Sequence, residues 1–280
     1  MESDQATQLR QQVNAAIEQL AANLEAGYSE QLQTFLTFAS RLPKYSLSNT
    51  ALIWQQRPDA SHVAGLRTWR QLGRRVRRGE TGIRILAPVR RKVEREQPVG
   101  EAEDDTNAAD ETRAGGKAEE IVAFRPVSVF DVAQTMGRPL PEPAQAQGEP
   151  GDAVERLEAF ARCRGITVET TNQMGRADGT SSGGWIRVRA GLSRAERLSV
   201  LAHELAHELR HHTGADTDAH IQETEAEAVA FVICQRVGVD ARVAAADYVQ
   251  TWGGDTDTLR RSLQRIHKTA GELLRAVDRV

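Results

Sequence analysis

Apolar side chains recur at helical spacing from the start of the chain. Leu9, Val13, Ile17, Leu20 and Leu24 fall on one stripe and predict an amphipathic helix over residues 3–26. A second helix is predicted over residues 29–41, stopped near Pro43, and a third over residues 49–56, ahead of Pro58. The period then shortens. Ile83, Ile85 and Val89, punctuated by Gly79 and Gly82, suggest a strand, and IVAFRPVSVFDV (121–132) reads as one or two more. Further on, a helix is predicted over 153–162 and strands over 166–170 and 185–189. Ser193, with Glu196 three residues later, forms a capping box that opens a helix over 194–211, ended by Thr213-Gly214. Another helix spans 219–236 and stops at Gly238, and one or two more lie in 243–249 and 256–277. There is no internal repeat.

Two stretches break the pattern. Residues 94–120 hold ten acidic residues against three basic ones and no apolar period, which predicts a disordered, solvated insertion. Residues 138–152 are rich in Pro, Gly and Gln and read as an interdomain linker. The expectation is an α+β chain of two domains. Residues 1–137 form a helix-and-sheet module carrying the acidic insertion, and residues 153–280 a small domain built around the capped helix. Hydrophobic residues make up 40% of the 280, so a packed core is affordable. The two cysteines, Cys163 and Cys234, are too few for a disulfide scaffold and read as small core residues. With no apolar leader and no membrane-length apolar run, the chain reads as cytoplasmic and without membrane partners.

Chemistry concentrates in His203-Glu204-Leu205-Ala206-His207, an HExxH motif on the capped helix. A spacing of four puts both imidazoles on one face, one turn apart, where they can reach a single ion. Glu204 beside them is the candidate general base. A third ligand is needed. No Gly and His follow at metzincin spacing, and His211 falls at the helix end, where its charge is favoured electrostatically. The next helix offers Glu223, Glu225 and Glu227 beside a stripe of Ala226, Val229, Ala230 and Ile233. At 100° per residue Glu223 and Glu227 flank that stripe while Glu225 points away from it. Glu223 is the expected ligand, and Glu227 is either a hydrogen-bonding partner for a ligand histidine or the ligand itself. His/His/Glu suits Zn2+. His203–His207 with Glu223-x-x-Ala226-Glu227 resembles the gluzincin arrangement and, more narrowly, the ImmA/IrrE family of intracellular metallopeptidases. The resemblance implies a zincin-like fold and Glu223 as third ligand. Glu227 departs from the family's Glu-x-x-Ala-Asn pattern.

The net charge of −3 conceals an asymmetry. Between Arg41 and Lys92 thirteen basic residues face only Asp59 and Glu80, leaving +11. Tyr45, Trp54 and Trp69 are interleaved with them, the combination a single-strand binder uses. Tyr45-Ser46-Leu47-Ser48-Asn49, Trp69, Gly73 to Glu80, Val129-Phe130-Asp131 and Gln134-Thr135 closely resemble the N-terminal domain of ArdC-type antirestriction proteins. That resemblance covers residues 28–137 and implies single-stranded DNA as partner, with Lys44, Tyr45, Asn49, Trp69, Arg70, Arg74, Arg75, Arg77 and Arg78 as contact residues. It also implies the pairing with a C-terminal HExxH domain. The expected function is single-stranded-DNA binding joined to a zinc metallopeptidase-type site, in antirestriction or mobile-element accessory work. The alternatives are an endopeptidase acting on a cytoplasmic protein substrate, a DNA-binding protein whose zinc is structural, and a scaffold with neither activity. Tyr248 reads as a core aromatic, with assistance to an oxyanion the lesser alternative.

Overall fold

The computed structural model describes residues 4–26, 29–93, 118–140, 149–175, 177–210, 218–240 and 255–278. Helix and sheet are mixed along the chain. Three helices come first, α1 (Asp4–Glu25), α2 (Ser29–Ser40) and α3 (Leu47–Gln56). Periodicity alone starts α3 two residues late, because Ser46 caps it, accepting from the Asn49 amide. The stripe on α1 divides. Leu9, Val13 and Ile17 join a cluster with Phe38, Leu52, Ile53, Ile83 and Ile85. Leu20 and Leu24 join a larger cluster with α2 and the helices of the second half.

The first half continues through β1 (Val63–Ala64), α4 (Leu66–Gln71), β2 (Arg74–Val76), β3 (Ile83–Val93), β4 (Ala118–Asp131) and β5 (Thr135–Gly137). β3 and β4 form a long antiparallel hairpin, from Ile83 opposite Val129 out to Val93 opposite Ala118, with a register shift after Val89 that leaves Val122 unpaired. Residues 118–120, predicted as disordered, are therefore strand. Pairing with residues 91–93 supplies a backbone ladder that an acidic sequence does not announce. The remainder of that stretch, and residues 141–148 of the predicted linker, lie outside the described residues. β1 pairs with β4, and β2 pairs with β5 in a separate ribbon.

The outer edge of β3 is closed by side chains. The Asn49 amide donates to the Leu86 carbonyl and accepts from the Leu86 N–H, both at 2.9 Å. Gln56 does the same for Arg84, at 2.9 and 2.8 Å. Each carboxamide stands in for one residue of a neighbouring strand. The next outward position is Pro88, which has no N–H to leave unpaired.

The second half comprises α5 (Ala153–Cys163), β6 (Thr167–Thr171), β7 (Gly179–Ser181), β8 (Trp185–Arg189), α6 (Arg194–Arg210), α7 (Ala219–Arg236) and α8 (Thr256–Val277). β8 is the central strand, parallel to β6 and antiparallel to β7. Its inward residues Ile186 and Val188 are fully buried in the same cluster as Leu198, Leu201 and Leu205 of α6. α7 packs against α6, α8 and α2. From Ala228 to Cys234 it is buried all round, as a central helix must be. That corrects the expectation for Glu225, which is buried rather than turned outward. Arg265 Nε donates to both of its oxygens at 2.9 Å and Ser262 Oγ at 2.7 Å. Counting from one stripe fails on a helix with two buried faces. Cys163 is exposed, against the core reading, because it sits at the end of α5; Cys234 is buried. The predicted helix 243–249, Tyr248 and the Thr213-Gly214 stop lie outside the described residues.

α8 also reaches the first half. His267 Nε2–H donates to the Tyr45 carbonyl at 2.6 Å, and burial holds the imidazole below its ordinary pKa of 6.5. The unfolded chain therefore takes up this proton first. Stability is expected to fall as pH drops below about 6.5, by at most about 1.4 kcal/mol per pH unit for one proton. Melting curves of wild type and His267→Gln between pH 7 and 5 check this. The variant should show the shallower dependence, and equal slopes would refute the assignment.

Candidate metal centre

The site begins with the capping box. Ser193 donates both its hydroxyl and its N–H to the Glu196 carboxylate, each at 2.8 Å, which holds that carboxyl below its usual range, and the Glu196 amide approaches Ser193 Oγ at 3.3 Å. α6 then buries Leu198, Leu201, Ala202 and Leu205 completely. Arg197 ties it to α5 through Glu158 at 2.7 Å. With that face fixed, His203 and His207 emerge on the side facing α7. Their rings meet edge to face with centroids 4.7 Å apart, and their Nε2 atoms stand 3.0 Å apart. α7 is capped by Asp218, which accepts from the His220 amide at 2.7 Å. Its second turn brings Glu223 to both imidazoles, one carboxylate oxygen 3.4 Å from each Nε2.

These separations suit one small cation. Two donors each 2.0–2.1 Å from a tetrahedral ion stand roughly 3.3 Å apart, and the observed spacings are 3.0, 3.4 and 3.4 Å. Among the described residues, His203, His207 and Glu223 are the group able to hold a metal ion. Glu227, one turn beyond Glu223 and half-buried, is outside that group. His211 lies outside the described residues. The Glu223 side chain is 60% exposed against 23% and 12% for the histidines, so the triangle opens to solvent on the α7 side.

Glu204 lies on the neighbouring face of α6 and is buried. Burial pushes its carboxyl up to about 7, opposed by a hydrogen bond from Ser181 and reinforced by the charges of Glu223 and Glu208. Glu208 in turn accepts the Gly184 amide at 2.7 Å, pinning the start of β8 to the helix. Neither Ser181 nor Glu208 was singled out from the sequence. A serine in a Gly-Thr-Ser tripeptide carries no pattern that marks it.

The residues expected to contact DNA divide. Trp69 is buried, its indole N–H donating to the Phe130 carbonyl at 2.9 Å, so its ring fills the core instead of facing a base. Tyr45 donates its hydroxyl to the Val63 carbonyl at 2.8 Å, and burial raises its pKa to about 12. Asn49 closes the β3 edge. Arg74 is a clamp: Nε donates to Thr135 Oγ1 at 2.8 Å and another nitrogen to the Arg138 carbonyl, holding β2 to β5. Lys44, Arg70, Arg75, Arg77 and Arg78 are exposed. Met136, 60% exposed, sits directly across the β2–β5 ribbon from Arg75, and Leu72, ahead of β2 in the chain, is also exposed.

Residues 3–130 match the family model of the N-terminal domain of anti-restriction factor ArdC, and residues 161–235 match that of the IrrE N-terminal-like domain. The chain also superposes on the metal-free crystal structure of the antirestriction ArdC protein from plasmid R388. The TM-score is 0.51 at 20% identity, covering 95% of each chain. The Mn(II)-bound structure of the same protein gives 0.50 at 18% identity, over 95% of this chain and 98% of that one. The chain has the ArdC-type architecture. An uncharacterized protein of Bacillus anthracis is 22% identical over 97% of this chain, which spans about half (52%) of that relative's length. The HExxH helix, Glu204 and Glu223 all fall inside the IrrE-like segment, and the exposed arginines inside the ArdC-like one.

Proposed function

We propose that the chain binds single-stranded DNA through its first half and holds a divalent metal in a peptidase-type site in its second, in antirestriction or mobile-element accessory work. The observation that carries the metal half is the convergence of His203, His207 and Glu223 at cation spacing beside a buried Glu204. Two imidazoles and a carboxylate favour zinc, and the Mn(II) in the R388 relative supports a divalent site of this kind. A zinc ion held there would polarise a peptide carbonyl and acidify a water. Glu204, buried beside the three ligands, accepts the proton of the attacking water on its carboxylate and delivers it to the leaving amine. Among the described residues three ligands converge, and a fourth position left to water favours hydrolysis over a closed structural site. A protein substrate follows from this reading. Among the described residues no helix is long and apolar enough to cross a membrane.

Metal analysis tests the centre. Wild type should bind about one equivalent of zinc, His203→Ala should retain almost none, and Glu223→Ala should bind at least about tenfold more weakly. Equal zinc in all three proteins would sink the reading.

On the DNA half, the exposed Arg70, Arg75, Arg77, Arg78 and Lys44 supply phosphate contacts, and Met136 and Leu72 supply apolar surface for bases. Trp69, Tyr45, Asn49 and Arg74 shape this surface from beneath.

A further inference from the structure

Strand β7 lies along the sheet's edge, over the HExxH helix. Gly179 and Ser181 are two residues apart and share one face, opposite Val188 and Ile186, the inward-facing residues of β8. Both therefore look toward α6, while Thr180 between them is exposed. Gly179 is absent from the glycines with positive φ, so no turn demands it. Space does. A Cβ built there would lie 2.5 Å from a Glu204 carboxylate oxygen, 2.9 Å from Glu204 Cγ and 2.5 Å from a Val200 methyl. One step along, the Ser181 hydroxyl donates to the same carboxylate.

We propose that β7 is the positioning element of Glu204: Gly179 provides the slot its carboxylate occupies, and Ser181 fixes its orientation. Both act through Glu204, and their catalytic consequence rests on the proton-transfer role given to it above. A buried carboxylate without a partner swings to whatever donor or water it can reach. One bonded to a strand hydroxyl and packed against a bare Cα keeps a single direction. The same geometry accounts for a strand built of Gly-Thr-Ser beside Ile186 and Val188, the large apolar inward residues of β8.

Melting of the full chain, before and after zinc is added, isolates the contact. In a double-mutant cycle of Ser181→Ala and Glu204→Ala, which removes the acceptor outright, the two effects should be non-additive by about 2 °C or more. Gly179→Ala should lower the midpoint, and Glu204→Ala added to it should restore part of the loss. Zinc stoichiometry should stay at the wild-type value in Ser181→Ala, since no ligand is touched. On peptide substrates Ser181→Ala should lower kcat about tenfold with KM unchanged, and Ser181→Thr, which keeps the hydroxyl, should recover it. Additive melting effects, with Ser181→Thr no better than Ser181→Ala, would overturn the proposal, also if Gly179→Ala fails to fold. Coupling without hydrolysis in any variant would uphold the positioning and overturn the peptidase reading instead.

Discussion

Glu204→Gln is expected to cut peptide hydrolysis by about 10²–10⁴-fold while leaving the zinc content unchanged. Glutamine matches the size of glutamate and retains an oxygen for Ser181, but it cannot take a proton from water. The proposed ligands His203, His207 and Glu223 should keep their geometry, because they are carried by α6 and α7 and not by Glu204. Turnover of unstructured peptides, measured beside the metal content of the same samples, checks both halves. Undiminished hydrolysis would remove Glu204 from the mechanism. Loss of metal together with activity would make it a structural residue.

The second large effect concerns the exposed arginines. Replacing Arg75, Arg77 and Arg78 together by alanine should weaken single-stranded DNA binding by about 10–100-fold at low salt. It should also flatten the salt dependence by roughly two units of slope, one share per lost phosphate contact. The weakening should be uniform across sequences, since phosphates carry no base information. Arg74 is left out of this set because its guanidinium is spent on Thr135 and Arg138. Titrations against a fluorescent oligonucleotide at several salt concentrations decide the matter. An unchanged slope would move the binding face elsewhere.

Long periodic segments were readable in the sequence. The stripe of Leu9, Val13, Ile17, Leu20 and Leu24 marked α1, and the Ser193 box marked the start of the HExxH helix, because helical period and capping chemistry are local properties. What escaped was direction. Trp69, Tyr45 and Asn49 have the right side chains for nucleic acid, but composition does not say which way a ring or a carboxamide points. Only tertiary packing turns Trp69 toward Phe130 and Asn49 toward Leu86. Glu225 was misplaced because one apolar stripe was visible on a helix that has neighbours on several sides. β7 left no trace, since its inward positions are small so that Glu204 can fit, which removes the apolar alternation by which strands are recognised.

The carboxamides of Asn49 and Gln56, followed by Pro88, bear on how this chain behaves in company. A hairpin as long as β3–β4 offers a template on which another molecule's strand can grow, and such templates seed aggregates. Here the outward amides of Arg84 and Leu86 are already occupied and the next position has none to give. A crowded population of these molecules thus meets no vacant row of amides along that stretch from which a shared sheet can spread.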